Sequence, residues 1–423
     1  MADAISGLGG GGQATPYTVN AATAASYSAV ATVSLLGGPL ASRLGVKALL
    51  IFGAVTFPIN GSAYYVNSRY GIQWYLIFGR FVYGLGFGAW YVAEAAIILS
   101  YPEERSRGKY LAVWVMSRNL GQLVGGSISL ARNIKMAGAG AIATSTYLIF
   151  VGIEAAAFPI SWLISPPHKV RRNDGTAIRP GQKLPIVDEL WLVWAALKHK
   201  RTLLLSAYFF YSYFYGGVLG TYLTLYFSVR ARAMSSIIVP GGIIVFVFLY
   251  GLILDNKRWN MKRRAQIGFI VVTVPTLVSF CWLVANQKKF IDKPPGKMDW
   301  TASGWANAYV PFYMMQILGY MCQTYIYWLI SCFADDVNAN ARNGGVFRAI
   351  EAIGQAVSYG INAKAGNRMI PLGINFGLFI LAIPGLVMVV QSVPKEREET
   401  LQESLPIGEE AGMSATVPEI KNS

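Results

Sequence analysis

The sequence predicts an all-α membrane protein, with eleven transmembrane helices arranged in two pseudo-repeat halves of five and six. Three observations carry this. The 423 residues are 54% hydrophobic and only 13% charged, with a mean hydropathy of +0.41, about half the charge of a soluble domain. Apolar runs of roughly 20 residues, the length that crosses a bilayer core, recur along nearly the whole chain. A basic, glycine-punctuated motif occurs twice, about half a protein apart.

A Gly-rich N-terminus, 1–16, precedes the N-terminal half, 17–165. That half holds spans at 17–42, 47–66, 73–100, 109–131 and 141–165. Polar loops separate them: Arg43 to Lys47, Arg69, the acidic loop at Glu103-Glu104, and Arg132 with Lys135. A basic linker, 166–201, follows. The C-terminal half, 202–393, holds spans at 202–228, 235–254, 265–286, 306–333, 343–362 and 370–393. Its loops carry Arg230 and Arg232, the run Lys257 to Arg264, Lys288 to Lys297, the acidic Asp335-Asp336 before Arg342, and Lys364 with Arg368. The tail 394–423 is acidic, lacks aromatic residues and reads as disordered.

The formal charge of +15 does not call for nucleic acid, because the cations gather in short loops. Of the 36 Lys and Arg, 22 fall on the side of the linker and tail and 11 on the other. The first side is therefore cytoplasmic. Arg80, Arg118 and Arg348 lie within spans. Cys281, Cys322 and Cys332 sit in apolar runs with no metal or disulfide spacing, and the two histidines share the linker. No metal, cofactor or enzymatic constellation is expected, and residues 1–16 do not form a cleavable signal peptide.

The motif Gly38-Pro39-Leu40-Ala41-Ser42-Arg43-Leu44-Gly45-Val46-Lys47 repeats at an offset of 213, with Gly251, Asp255, Lys257 and Arg258 in the second copy. At an offset of 233, Arg118 matches Glu351, and Gln122 matches Gln355. Parallel repeats of six helices are a transporter architecture that places its solute near the membrane midplane between the halves. Here the first half has one helix fewer, and the partner of span 202–228 is the one missing.

The first motif resembles the loop between helices two and three of the major facilitator superfamily, Gly-x-x-x-Asp-Arg-x-Gly-Arg-Lys, with Ser42 in place of the acid and Val46 in place of one base. "SGLGGGGQ" (6–13) and "SYPEERSRGKYLAVWVMSRNLGQLVGGSISLARN" (100–133) resemble the fungal Unc-ninety-three-like, or ion-channel regulatory, family of that superfamily. In that family the Gly-rich stretch directly follows the first helix, so the resemblance implies that this chain begins inside the pattern. It also implies that Gly38, Ser42, Arg43, Gly45 and Lys47, with Gly251, Asp255, Lys257 and Arg258, form cytoplasmic gating loops. The alternative is plain topology, since any short inside loop is basic.

Charges within spans are expensive in lipid and face the bundle interior or a water-filled path. Arg80 and Glu94 share one helix face about 21 Å apart, as the two mouths of one pathway or as residues snorkelling to the interfaces. Arg118 with Gln122 and Glu351 with Gln355 give each half a charge-plus-amide face. They read either as a solute site or as structural pairs, Glu351 with Arg348 and Arg118 with Glu94 or Glu154. Glu154, alone among Ala and Ile, carries a proton or pairs with Arg118. In "YFFYSYFYGG" (208–217), Tyr211 and Tyr215 lie four apart on one face; the superfamily resemblance, whose corresponding helix borders the central cavity, implies that they line it. "GLGGGGQ" reads as a flexible extramembrane loop and "GLGFG" (84–88) as close helix packing.

Two functions remain open. One is a secondary, alternating-access transporter of an unknown small solute, with proton coupling. The other is a non-transporting regulator or trafficking partner of another membrane protein such as an ion channel. Both are integral, multi-pass proteins of a plasma membrane or endomembrane.

Overall fold

The computed structural model describes residues 2–100, 107–136, 138, 140–165, 169, 185–254, 256, 258–333 and 337–394. The expected acidic loops at Glu103-Glu104 and Asp335-Asp336 lie outside these residues. So do Asp255, Lys257, most of the linker and the tail beyond residue 394.

A short helix, α1 (Ala2–Gly7), and a tight turn at Gly10–Gly12 open the chain. The first half continues with α2 (Tyr17–Leu35), α3 (Gly37–Leu44), α4 (Val46–Tyr70), α5 (Gln73–Ser100), α6 (Arg107–Asn133), α7 (Thr144–Ala155) and α8 (Ala157–Leu163). Then come α9 (Ile186–Lys198), α10 (Lys200–Tyr211), α11 (Tyr215–Tyr226), α12 (Val229–Leu254), α13 (Met261–Asp292), α14 (Trp305–Ser331), α15 (Val337–Ile361) and α16 (Met369–Gln391). Among the described residues no strand forms, and a single bridge joins Phe227 to Met298. Lipid leaves no water to satisfy an open backbone, so helices are the expected solution.

Among the described residues, seven segments are long and apolar enough to cross a membrane: Val46–Tyr70, Gln73–Glu94, Thr144–Leu163, Lys200–Tyr226, Val229–Leu254, Met261–Asp292 and Met369–Gln391. The long helices α2, α6, α14 and α15 are less apolar, and each contributes side chains to the central cavity described below. Their polarity belongs to the bundle interior, where a polar residue escapes lipid.

The halves meet along two helix pairs, α2 with α15 and α6 with α12. Within the first half, α5 packs on α2 and α4, and α4 also packs on α7. The "GLGFG" glycines allow this approach. A Cβ on Gly84 would lie 2.2 Å from the Ser26 carbonyl oxygen, and one on Gly86 would lie 2.0 Å from Thr56 Oγ1. The reading of these glycines as packing residues holds.

Several elements differ from their predicted form. The first span is two helices, α2 and α3, and the sharp turn of the motif falls on Gly45, at φ 80°. The linker contains the helix α9, whose side chains are mostly exposed. The span at 202–228 breaks between Tyr211 and Tyr215. There Phe214 N donates to the Tyr211 carbonyl and Gly216 N to that of Tyr213, i to i−3 bonds that tighten the turn. The helix predicted at 235–254 begins at Val229, so Arg230 and Arg232 lie in it rather than in a loop.

Candidate functional site

A cavity of about 110 Å³ lies where the halves meet. From the first half, α1 brings Asp3, α2 brings Tyr27, α5 brings Phe87 and Tyr91, and α6 brings Arg118 and Gln122. From the second, the break between α10 and α11 brings Tyr213 and Tyr215, α14 brings Tyr320 and Gln323, and α15 brings Arg348, Glu351 and Gln355. Arg118, Gln122, Glu351, Gln355 and Tyr215 thus line one cavity.

Two ion pairs face one another across this space. Arg118 Nε donates to Asp3 Oδ2 at 3.0 Å, and Arg118 Nη2 donates to the Tyr91 hydroxyl at 3.1 Å. Arg348 Nη1 donates to Glu351 Oε2 at 2.6 Å. The other oxygen of Glu351 accepts from Gln323 Nε2 at 2.8 Å and from Ser212 Oγ at 3.2 Å. Glu351 is only 1% exposed, so these donors replace the water it lost. The Tyr91 ring lies 4.9 Å from the Arg348 guanidinium and 5.7 Å from that of Arg118, linking the two pairs. Tyr27 and Tyr359 stack across the interface at 5.8 Å, and Tyr213 donates to the Tyr320 hydroxyl at 3.1 Å. The expected local partner of Glu351, Arg348, is the observed one. The hydrogen-bonded carboxylate of Arg118 is Asp3, which the sequence did not single out, rather than Glu94 or Glu154.

The sequence profile of the Major Facilitator Superfamily matches residues 7–359. The chain belongs to the Major Facilitator Superfamily. It is 34% identical to the Notoamide biosynthesis cluster protein O' of Aspergillus versicolor over 413 residues, 95% of this chain and 89% of that one. It is 30% identical to UNC93-like protein 1 of Arabidopsis thaliana over 404 residues, 92% and 86% of the two chains. These relatives place it in the UNC93-like branch of the superfamily. The fold is similar to that of the E. coli xylose transporter XylE in a partially occluded inward-open conformation. That likeness has a TM-score of 0.63 at 14% identity and covers 91% of this chain and 89% of that one. The protein is therefore a multi-pass membrane protein of transporter-like architecture.

The remaining superfamily candidates fall elsewhere. Tyr211 does not line the cavity. The break after α10 turns it into the core of the second half, against Phe379 at 5.3 Å and Phe280 at 6.3 Å, so it shares no face with Tyr215. Glu94 lies on α5 outside the cavity lining, within electrostatic range of Tyr91 and Arg118. Arg80 is buried, not at a mouth. It donates to Asn60 Oδ1 at 2.8 Å and Thr23 Oγ1 at 3.3 Å and lies over the rings of Tyr83 and Tyr64. Glu154 is 5% exposed and lies against Gly61, beside Asn60; its carboxylate makes no hydrogen bond of ordinary geometry.

Of the residues expected to form gating loops, Arg43 is exposed, and Lys47 Nζ donates to the Trp162 carbonyl at 2.7 Å, capping the end of α8. Gly38 and Ser42 lie in α3, but their side chains are outside the described residues. Gly251 lies in α12, and Arg258 is exposed beyond it.

Arg232 joins the two halves, a role that sequence reasoning passed over. It is 1% exposed. From α12 in the second half it donates to the carbonyls of Leu8 at 2.9 Å, Gly9 at 3.0 Å, Gln13 at 3.1 Å and Gly140 at 3.2 Å, all in the first half. The Gly-rich segment is therefore not a flexible loop. Gly9 to Gly12 are held at φ between 48° and 77°, which L side chains avoid, so the turn can present the carbonyls of Leu8, Gly9 and Gln13 to one guanidinium. Tyr147 donates to the Gly11 carbonyl at 2.7 Å and completes the hold. The available signal was an arginine three residues inside a helix, next to Arg230 and mistaken for a loop cation.

Proposed function

We propose that the chain is a secondary transporter that moves a small solute by alternating access, through eleven spans split five and six. The central cavity is its solute site. The carrying observation is the placement of the repeat-related Arg118 and Glu351, with Gln122 and Gln355, around one cavity between the halves. Each is costly in a membrane, and midplane polar groups at a repeat interface are where such folds bind solute. The loop charge asymmetry supports placing α3, α9 and the tail on the cytoplasmic side. A relative named for the biosynthesis cluster of notoamide supports a small-molecule setting.

Counterflow in proteoliposomes with a mixed solute panel tests this reading, with Arg118→Ala and Glu351→Gln alongside. Uptake by the wild type, lost in both variants while both still melt cooperatively, is the expected result. No uptake from a folded protein that co-purifies with another membrane protein would replace the transporter with a regulator or trafficking partner.

A further inference from the structure

Resting on the reading of the central cavity as a solute site, we propose that this site selects an uncharged solute. Its body would be compact, planar or aromatic, and would carry at least one hydrogen-bond donor. Among the described residues, the charged ones lining the cavity are Asp3, Arg118, Arg348 and Glu351, two of each sign. Each cation is bonded to a carboxylate inside the protein, Arg118 to Asp3 and Arg348 to Glu351. Glu94, which also acts on Arg118, stands outside the lining. A charged solute entering this space would lose its hydration and find no unpaired counter-charge. To gain one it would have to break an existing pair and strand the displaced partner.

The groups left over are neutral. Gln355 is 5% exposed, and its Oε1 accepts no hydrogen bond, although the residue lines the cavity. The Tyr215 hydroxyl, at 1% exposure, likewise makes none of ordinary geometry. A buried acceptor without a donor is costly and calls for a ligand or water that supplies one. The other walls are the rings of Tyr27, Phe87, Tyr91, Tyr320 and Tyr359. The 110 Å³ volume is below the roughly 150 Å³ that holds a benzene ring, so the solute is compact. Ring faces, the unpartnered Gln355 acceptor and Tyr215 hydroxyl, and balanced charge describe the site that the solute must match.

Benzamide, benzoate and benzamidine share a shape and differ in charge, so they isolate the claim. Binding of each to the purified full chain in lipid nanodiscs, followed by calorimetry or ligand-observed NMR, needs no transport to occur. The wild type should bind benzamide about tenfold or more tighter than either ion. Gln355→Leu should weaken benzamide about tenfold. Glu351→Gln keeps an acceptor for Gln323 but leaves Arg348 uncompensated, and benzoate should then overtake benzamide. Arg118→Gln leaves Asp3 uncompensated, and benzamidine should overtake. Asp3→Asn gives a second route to the benzoate preference if Glu351→Gln does not fold.

The proposal is overturned if the wild type binds either ion as well as benzamide or binds none of the three. It is equally overturned if ranking is unmoved in folded charge variants. Counterflow of whichever probe binds is read separately, so a failure of the transporter reading is distinguishable from a failure of this one.

Discussion

The interface between the halves differs sharply at its two ends. At the end that carries the Gly-rich turn, the halves are joined by hydrogen bonds. Arg232 reaches four carbonyls of the first half. Asn20 Nδ2 donates to Thr221 Oγ1 and the Asn362 carbonyl, both at 2.8 Å. The amides of Val229 and Arg230 donate to the carbonyls of Gly138 and Met136. At the opposite, basic end, much of which lies outside the described residues, three cations bond within their own half. Lys47 bonds to Trp162, Arg264 to Leu254, and Arg258 N to Asn256. A Cβ on Gly345 would lie 3.9 Å from the Ser34 carbonyl oxygen, an unstrained contact. Among the described residues, hydrogen bonds thus join the halves at the Gly-rich end. In the proposed alternating-access reading, the joined Gly-rich end is the closed side of the cavity.

Removing the lock should have the largest effect. Arg232→Ala leaves four buried carbonyls without their donor, so a loss on the order of 3 kcal/mol is expected, read as a lowered melting temperature in detergent. Cysteines placed near Gly11 should also become accessible to a membrane-impermeant thiol reagent. Unchanged accessibility would mean that Arg232 is only a local brace.

Asn20→Leu removes two cross-half bonds and should cost about 1–2 kcal/mol. Its effect should add to that of Arg232→Ala less than fully, because both act on one closure. A double-mutant cycle by thermal melting checks the coupling, and simple additivity would separate the two contacts.

Asp299 belongs to the locked end and gives a pH handle. It accepts from Arg230 Nε at 2.8 Å, from Arg230 Nη2, and from Ser228 Oγ at 2.7 Å. The Arg230 hydrogen bonds hold its carboxyl well below the usual carboxylate range. A depressed folded-state pKa contributes stability above the ordinary value, and that stability is lost as pH falls through and below it. Wild type should therefore lose melting temperature toward low pH, and Asp299→Asn should lose less over the same range. Parallel curves would remove the assignment.

The smallest effect belongs to the basic end. Lys47→Ala breaks one bond within the first half, so a cost below about 1 kcal/mol is expected, with no change in accessibility at the Gly-rich end. A large loss would show that the basic end is also locked.

Much of this was legible in the sequence. Apolar run length fixed most of the helices. The offset that pairs Arg118 with Glu351 located the cavity, because duplicated helices keep equivalent positions. What stayed hidden depends on tertiary contacts. Asp3 gave no signal, since nothing local shows that a six-residue helix delivers its carboxylate to Arg118. Tyr211 and Tyr215 were placed on one face because four residues make about one helical turn; the break between α10 and α11 cancels that spacing. Arg232 looked like a loop cation because a guanidinium among apolar residues is costly, and its four carbonyl partners lie more than 90 residues away. Glycine runs usually mean looseness. Here they bend carbonyls toward a buried cation.

The most direct measurement is a pair of spin-label distances in nanodiscs. One label pair, at Arg69 and Ala365, spans the Gly-rich end; the other, at Leu44 and Arg258, spans the basic end. All four positions are exposed. The account predicts a narrow distance at the Gly-rich end of the wild type. Arg232→Ala should lengthen it and shorten the distance at the basic end. Distances that stay fixed at both ends, or change in the same direction, would contradict halves that rock about a central site.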